Sequence, residues 1–175
     1  MLLTYYGDIL YPEIKITDDM KARAKAKYDK IKLDPTRYKR KFASEGKRLL
    51  YGYLGEVVIM EYYVVDDVDD FEYDIVIGEY KTDVKSISCK FKPPMHYLAT
   101  VNSCEIDGEH RQDADIYMFV RIREDCEVAW LVGFIECERF FGMSKFLNKG
   151  ETYHGMTFDK ANMNVLPIKN LHRIQ

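Results

Sequence analysis

Two aspartates and a lysine carry the most chemistry in this sequence. In Tyr73-Asp74-Ile75-Val76-Ile77-Gly78-Glu79-Tyr80-Lys81-Thr82-Asp83-Val84-Lys85-Ser86, two β-prone runs flank Gly78-Glu79, and glycine at the first central position suits a two-residue type II′ turn. That turn predicts pairing of Ile77 with Tyr80, Val76 with Lys81, Ile75 with Thr82, and Asp74 with Asp83. Opposed residues on paired strands hold their Cβ atoms about 4.5–5.5 Å apart, where like charges destabilise a sheet. A bound divalent cation is the usual compensation. Strand alternation points Lys85 to the same face as Asp83. Carboxylates so placed can hold Mg²⁺, with Mn²⁺ as a substitute. An ammonium beside them can orient an attacking water and stabilise charge building on a phosphate.

The acid-x-Lys spacing alone means little, because Glu13-x-Lys15, Asp19-x-Lys21, Glu45-x-Lys47 and Glu79-x-Lys81 repeat it. Asp83 stands out because it interrupts an otherwise apolar strand opposite a second aspartate. The competing reading is a surface hairpin with two solvated acids. Glu56 is the third acid of interest. Its helical neighbours Tyr53, Met60 and Tyr63 give it a mostly apolar face, on which an unpaired carboxylate is costly. It either meets a basic partner or completes a metal site.

The elements that must position these groups follow from periodicity. Ile14 to Thr17 reads as a short strand, and Thr17 or Asp18 can cap a helix from about Asp19 to Lys32, with Met20, Ala24, Tyr28 and Ile31 on one face. Pro35 breaks it. A second helix runs from about Ser44 to Tyr63, with an apolar stripe of Leu50, Leu54, Val57 and Val58 and a flanking one of Leu49, Tyr53, Met60 and Tyr63. Gly46, Gly52 and Gly55 disfavour helix by about 1 kcal/mol each relative to Ala, which suggests close packing against another backbone. Strands follow at Phe71 to Ile77, Tyr80 to Cys89, Leu98 to Val101, Ile116 to Arg123 and Val128 to Ile135. Two of these are apolar at nearly every position, as in strands covered on both faces. A helix from about Glu138 to Leu147 and an edge strand from Met163 to Ile168 complete the chain. Pro167 argues against a central place for the last strand. This order implies an α/β three-layer sandwich with a mixed central sheet flanked by helices.

Glu56 in Gly-Tyr-Leu-Gly-Glu, then Asp74, then Asp83-Val84-Lys85 resembles the PD-(D/E)XK nuclease superfamily, whose pattern is a helical acid, a strand aspartate and, across a hairpin, an acid, any residue and lysine. The resemblance covers roughly Glu45 to Ile135, and Tyr73 stands where the family has its signature proline. It implies a restriction-endonuclease-like fold and hydrolysis of phosphodiesters. Mg²⁺ would be held by Glu56, Asp74, Asp83 and the carbonyl of Val84, with Lys85 as catalytic lysine. Gln112 resembles a glutamine some members use near the site. Trp130-Leu-Val-Gly-Phe-Ile, leading to a helix, resembles the small nucleases of phages and mobile elements.

Charge adds a second line. Between Lys21 and Arg48 stand twelve Lys and Arg against three acids, while the remaining residues carry 14 basic and 26 acidic side chains. Such a split is expected where one surface meets a polyanion. Lys21, Lys25, Arg37, Lys39, Arg40, Lys41 and Arg48 are then candidate backbone contacts, joined by Ser86 and Lys90 beyond the catalytic lysine. A solvated lysine-rich helix is the alternative. The four cysteines and four histidines show no zinc-ligand spacing, and the cysteines read as small apolar fillers.

At 175 residues the chain is read as one domain: a basic helical extension over 1–43, a catalytic core over 44–135 and a terminal helix and strand over 136–175. No apolar run reaches the roughly 20 residues of a membrane span, and the N-terminus lacks the pattern of a signal peptide, so the cytoplasm is the expected compartment. The expected function is a metal-dependent nuclease, with DNA favoured over RNA. Cutting a duplex with a single site often calls for a homodimer. The rivals are a nucleic-acid-binding module that keeps the fold without the chemistry, and a scaffold whose basic helix meets an acidic partner.

Overall fold

The computed structural model describes residues 11–33, 47–68, 73–102, 113–159 and 162–174. Strand β1 (Glu13–Lys15) leads into helix α1 (Asp18–Leu33), and helix α2 is Lys47–Tyr63. Thr17 caps α1, its hydroxyl oxygen accepting the Met20 N–H at 3.2 Å. The hairpin is β2 (Ile75–Ile77) and β3 (Tyr80–Cys89), followed by β4 (Leu98–Asn102), β5 (Ile116–Arg123) and β6 (Val128–Glu136). Helix α3 (Cys137–Met143) comes next, then β7 (Lys145–Leu147), the small hairpin of β8 (Thr152–Tyr153) and β9 (Met156–Thr157), and β10 (Met163–Pro167).

The fold is mixed α/β. Its principal sheet has the order β1-β6-β5-β3-β2, with β3 and β5 parallel and the other neighbours antiparallel. Alternation on β5 and β6 builds two cores. Met118, Val120, Ile122, Ala129 and Leu131 face α1 and α2, where Met20, Ala24, Leu54, Val57 and Val58 are buried. Tyr117, Phe119, Trp130 and Val132 face the other way, against Phe140 of α3 and Ala99, Val101 and Leu166 of a second sheet. The near-continuous apolar character of β5 and β6 therefore reflects cover on both faces.

That second sheet, β4-β10-β7, changes the expected layers: opposite α1 and α2 lie three antiparallel strands with the short α3, rather than helices alone. The helix expected from Glu138 to Leu147 stops at Met143, and Lys145–Leu147 pairs with β10 instead. Nor is the last strand an edge. β10 lies between β4 and β7, and Pro167 is tolerated because pairing with β7 ends at Val165, leaving Pro167 opposite Leu98 alone. No helix among the described residues is long and apolar enough to cross a membrane.

Two glycines let backbones approach. At Gly133 (φ +144°), a Cβ would lie 2.6 Å from the His172 carbonyl oxygen, where the C-terminal segment bridges β6 beside a register shift. At Gly55 of α2, a Cβ would meet Ser86 Oγ at 1.7 Å and Ser86 Cβ at 2.8 Å, so helix and β3 touch at this point. Gly52, one turn earlier, has open space. In equilibrium denaturation, Gly55→Ala should lower stability by about 1–3 kcal/mol through overpacking. Gly52→Ala should instead raise it by up to about 1 kcal/mol through helix propensity.

Candidate functional site

The hairpin forms in the expected register, with Ile77 opposite Tyr80, Val76 opposite Lys81 and Ile75 opposite Thr82. Gly78 takes φ +63° at the turn. Asp74 departs from the ladder. It lies in a bend before β2, where its N–H donates to the Thr82 carbonyl at 3.0 Å and its carboxylate accepts the Val84 N–H at 2.8 Å. The side chain thus closes the edge that β2 is too short to cover. Strand geometry turns the Val84 carbonyl to the same edge.

Asp83 is 2% exposed, and Lys85 Nζ lies 2.6 Å from its Oδ2. Burial, opposed by Lys85 and reinforced by the charge and hydrogen bonding of Asp74, pushes the Asp83 carboxyl up to about 7. Burial works against the Lys85 charge as well, but Asp83 and Asp74 outweigh it and raise the ammonium above its ordinary range. The two acids and the amine therefore form one electrostatic unit. Near neutral pH it can take up either a proton or a cation.

Neighbours that periodicity did not reveal complete its walls. Tyr117 is opposite Asp83 in the parallel register of β3 and β5, and its ring centroid is 5.5 Å from Lys85 Nζ. Cys137 opens α3, its N–H donating to the Asp115 carbonyl at 2.9 Å. Burial and then the Asp83 charge push its thiol up to about 12, against a hydrogen bond with Tyr117. The Asp115 N–H donates to the Lys81 carbonyl at 2.8 Å, and the Asp115 carboxylate accepts the Lys81 N–H at 2.8 Å. The starts of β3, β5 and α3 are thereby tied together. Parallel pairing leaves no mark in a single sequence, so Tyr117 and Cys137 carried no signal beyond their apolar surroundings.

Glu56 takes the basic partner. Lys27 Nζ sits 2.6 Å from its carboxylate and 2.6 Å from Asp67, so that α1 is tied to α2 through the largely buried Lys27 and Glu56 and to the exposed Asp67 just beyond α2. Burial opposes the Lys27 charge, yet Glu56 and Asp67 raise its pKa. Among the described residues no cluster of three acidic, histidine or cysteine side chains is placed to hold a metal ion. The oxygen donors at the Asp83 site are thus Asp74, Asp83 and the Val84 carbonyl, without Glu56.

The other expected contacts divide. Ser86 lies on the face opposite Lys85, its hydroxyl buried against Gly55, so alternation removes it from the phosphate side. Lys21 pairs with Glu127 at 2.6 Å and Lys25 with Asp29, which reduces the free positive charge of α1. Lys90 is exposed just past β3. Arg37, Lys39, Arg40, Lys41 and Gln112 lie outside the described residues, as does the side chain of Arg48. No protein-family model matches the chain, and no curated protein matches it.

Two measurements check these assignments. Because the Asp83 carboxyl titrates higher folded than unfolded, its contribution to stability is complete below about pH 4 and is lost as pH rises through about 7. In EDTA, the wild-type unfolding midpoint should fall across that window, while Asp83→Asn should flatten the profile. Glu56→Gln should cost about 1–3 kcal/mol in urea unfolding, because Lys27 loses its more buried partner.

Proposed function

We propose that this chain is a divalent-metal-dependent nuclease acting on DNA, built on a restriction-endonuclease-like core. The observation that carries the reading is the buried Asp83 held against Asp74 and Lys85. A helix followed by a hairpin, α2 and then β2-β3, is the order of the superfamily pattern and supports this reading.

The residues present suit a hard cation. Asp74, Asp83 and the Val84 carbonyl offer oxygen donors on one strand edge, and Mg²⁺ usually keeps several waters beside one or two carboxylates. When bound, the ion would supply Lewis acidity toward a phosphate oxygen and its attacking water. The protein's own contributions are separate. Asp83 and Asp74 hold two negative charges close together. Lys85 neutralises one of them and presents an ammonium to a phosphate or to the water that attacks it. Tyr117 supports the lysine from below, and burial strengthens each of these charge interactions.

The donor set of two carboxylates, without the helical acid, favours one second reading: a nucleic-acid-binding module that has lost the chemistry. Incubation with linear duplex, circular duplex, single-stranded DNA and RNA in Mg²⁺, Mn²⁺ or EDTA separates the two. The nuclease gives products with a divalent ion and none in EDTA. Asp83→Ala and Lys85→Ala should each lower the cleavage rate by at least about 10²-fold. Cleavage undiminished in Asp83→Ala refutes the mechanism, and equal retention of nucleic acid with and without EDTA, with no products, supports the second reading. At pH 8, Mg²⁺ at a hundred times its Kd should raise wild-type stability by about 2.7 kcal/mol, and Asp83→Asn should lose that gain.

A further inference from the structure

The loop joining β3 to β4 exposes an aromatic side chain where the fold gives it no support. Phe91 is 75% exposed, flanked in sequence by the exposed Lys90 and Lys92. The following prolines, Pro93 and Pro94, stiffen the segment, since each fixes its φ and restricts the residue before it. Farther along, Tyr97 is 40% exposed, and its ring meets that of His96 edge to face, with centroids 5.4 Å apart. A phenylalanine left in water at this level is unfavourable for the isolated chain, and its surroundings indicate what would cover it.

Those surroundings are positive. Lys90, Lys92 and Lys169 form no ion pair among the described residues, and Lys169 is brought to the loop by its N–H donating to the Met95 carbonyl at 3.1 Å. Beneath the loop lies Arg121, 7% exposed, whose guanidinium donates to the Leu98 carbonyl and meets no carboxylate among the described residues. Burial lowers its pKa. Among the described residues, the acids near this end of the sheet are Glu124, Asp125, Glu13 and Glu127, of which Asp125 is taken up by Arg123 at 2.8 Å and Glu127 by Lys21 at 2.6 Å. An apolar protein partner would not call for this excess of cations. A polyanion whose units also present flat π-faces satisfies both features, because bases stack on aromatic rings while lysines track the phosphates.

We propose that Phe91 is a base-stacking platform for single-stranded nucleic acid, with Lys90, Lys92 and Lys169 holding the backbone and Tyr97 offering a second aromatic surface. A duplex keeps its bases stacked on one another and cannot use the ring in this way, so the platform selects single strands or frayed ends. It deepens the nuclease reading by naming a substrate class. Phe91 lies six residues beyond Lys85, within about 20 Å along the strand direction, so one bound strand can reach both.

The test is binding, measured in EDTA so that no cleavage is required. Fluorescein-labelled dT12 and a 12-base-pair duplex are titrated by anisotropy with wild type, Phe91→Ala, Phe91→Trp and the Lys90→Ala, Lys92→Ala double variant. Phe91→Ala should weaken dT12 binding by about tenfold while leaving the salt slope and duplex affinity unchanged, and Phe91→Trp should restore it. The double lysine variant should lower the slope of log K against log salt by about 1.4. Wild-type affinity for dT12 in Phe91→Ala, equal weakening on duplex, or no wild-type binding of dT12 overturns the platform. A chain that binds dT12 through Phe91 yet yields no products in Mg²⁺ keeps the platform and loses the nuclease reading.

Discussion

A carboxylate buried beside another carboxylate is the constraint around which this fold is arranged. Asp83 sits in the middle of β3, in a sheet covered on both faces. Removing such a group from water while a second acid stands nearby is unfavourable unless something supplies positive charge. Lys85 does so from two residues away on the same strand, and its own charge is sustained by the acids it neutralises. The pair is local in sequence, but its environment is not. Tyr117 comes from β5, Cys137 from α3 and Asp74 from the bend before β2.

The same logic explains why α1 carries so many lysines. Lys27 reaches Glu56 and Asp67, Lys21 reaches Glu127, and Arg23 reaches Glu61. These pairs bind the first helix to the second and to the loop after β5. Part of what reads in sequence as a positive surface, Lys21, Arg23 and Lys27, is therefore cross-linking between elements. Exposed pairs of this kind contribute little each, whereas the Lys27–Glu56 pair is buried enough for its loss to matter. Among the described residues, Lys90, Lys92 and Lys169, around the far end of β3, form no ion pair.

How much of this was legible depended on range. The two-residue turn at Gly78-Glu79 fixes its register through local chemistry, so the pairing of Ile75 to Ile77 with Tyr80 to Thr82 could be read directly. The α1 cap at Thr17 and the two-sided burial of β5 and β6 are likewise local patterns. The second sheet was not legible: Lys145–Leu147 continues a helical pattern in sequence, and only β10 offers it a ladder. Pro167 misled for a related reason, since the argument against a central strand applies to its middle and not to its final residue. Glu56 had two readings of similar standing, and the choice lay with Lys27, 29 positions away, which no periodicity couples to it. Gly55 was legible as a close approach without its partner, Ser86.

Cys137 beside this cluster has a bearing on how the protein withstands oxidants. The reactive form of cysteine is the thiolate, and a thiol pushed up to about 12 holds almost none of it at neutral pH. Peroxides and electrophiles that seek low-pKa sulfur would pass this one by, so a sulfur at the wall of an acidic cluster can pack there without becoming its oxidative weak point.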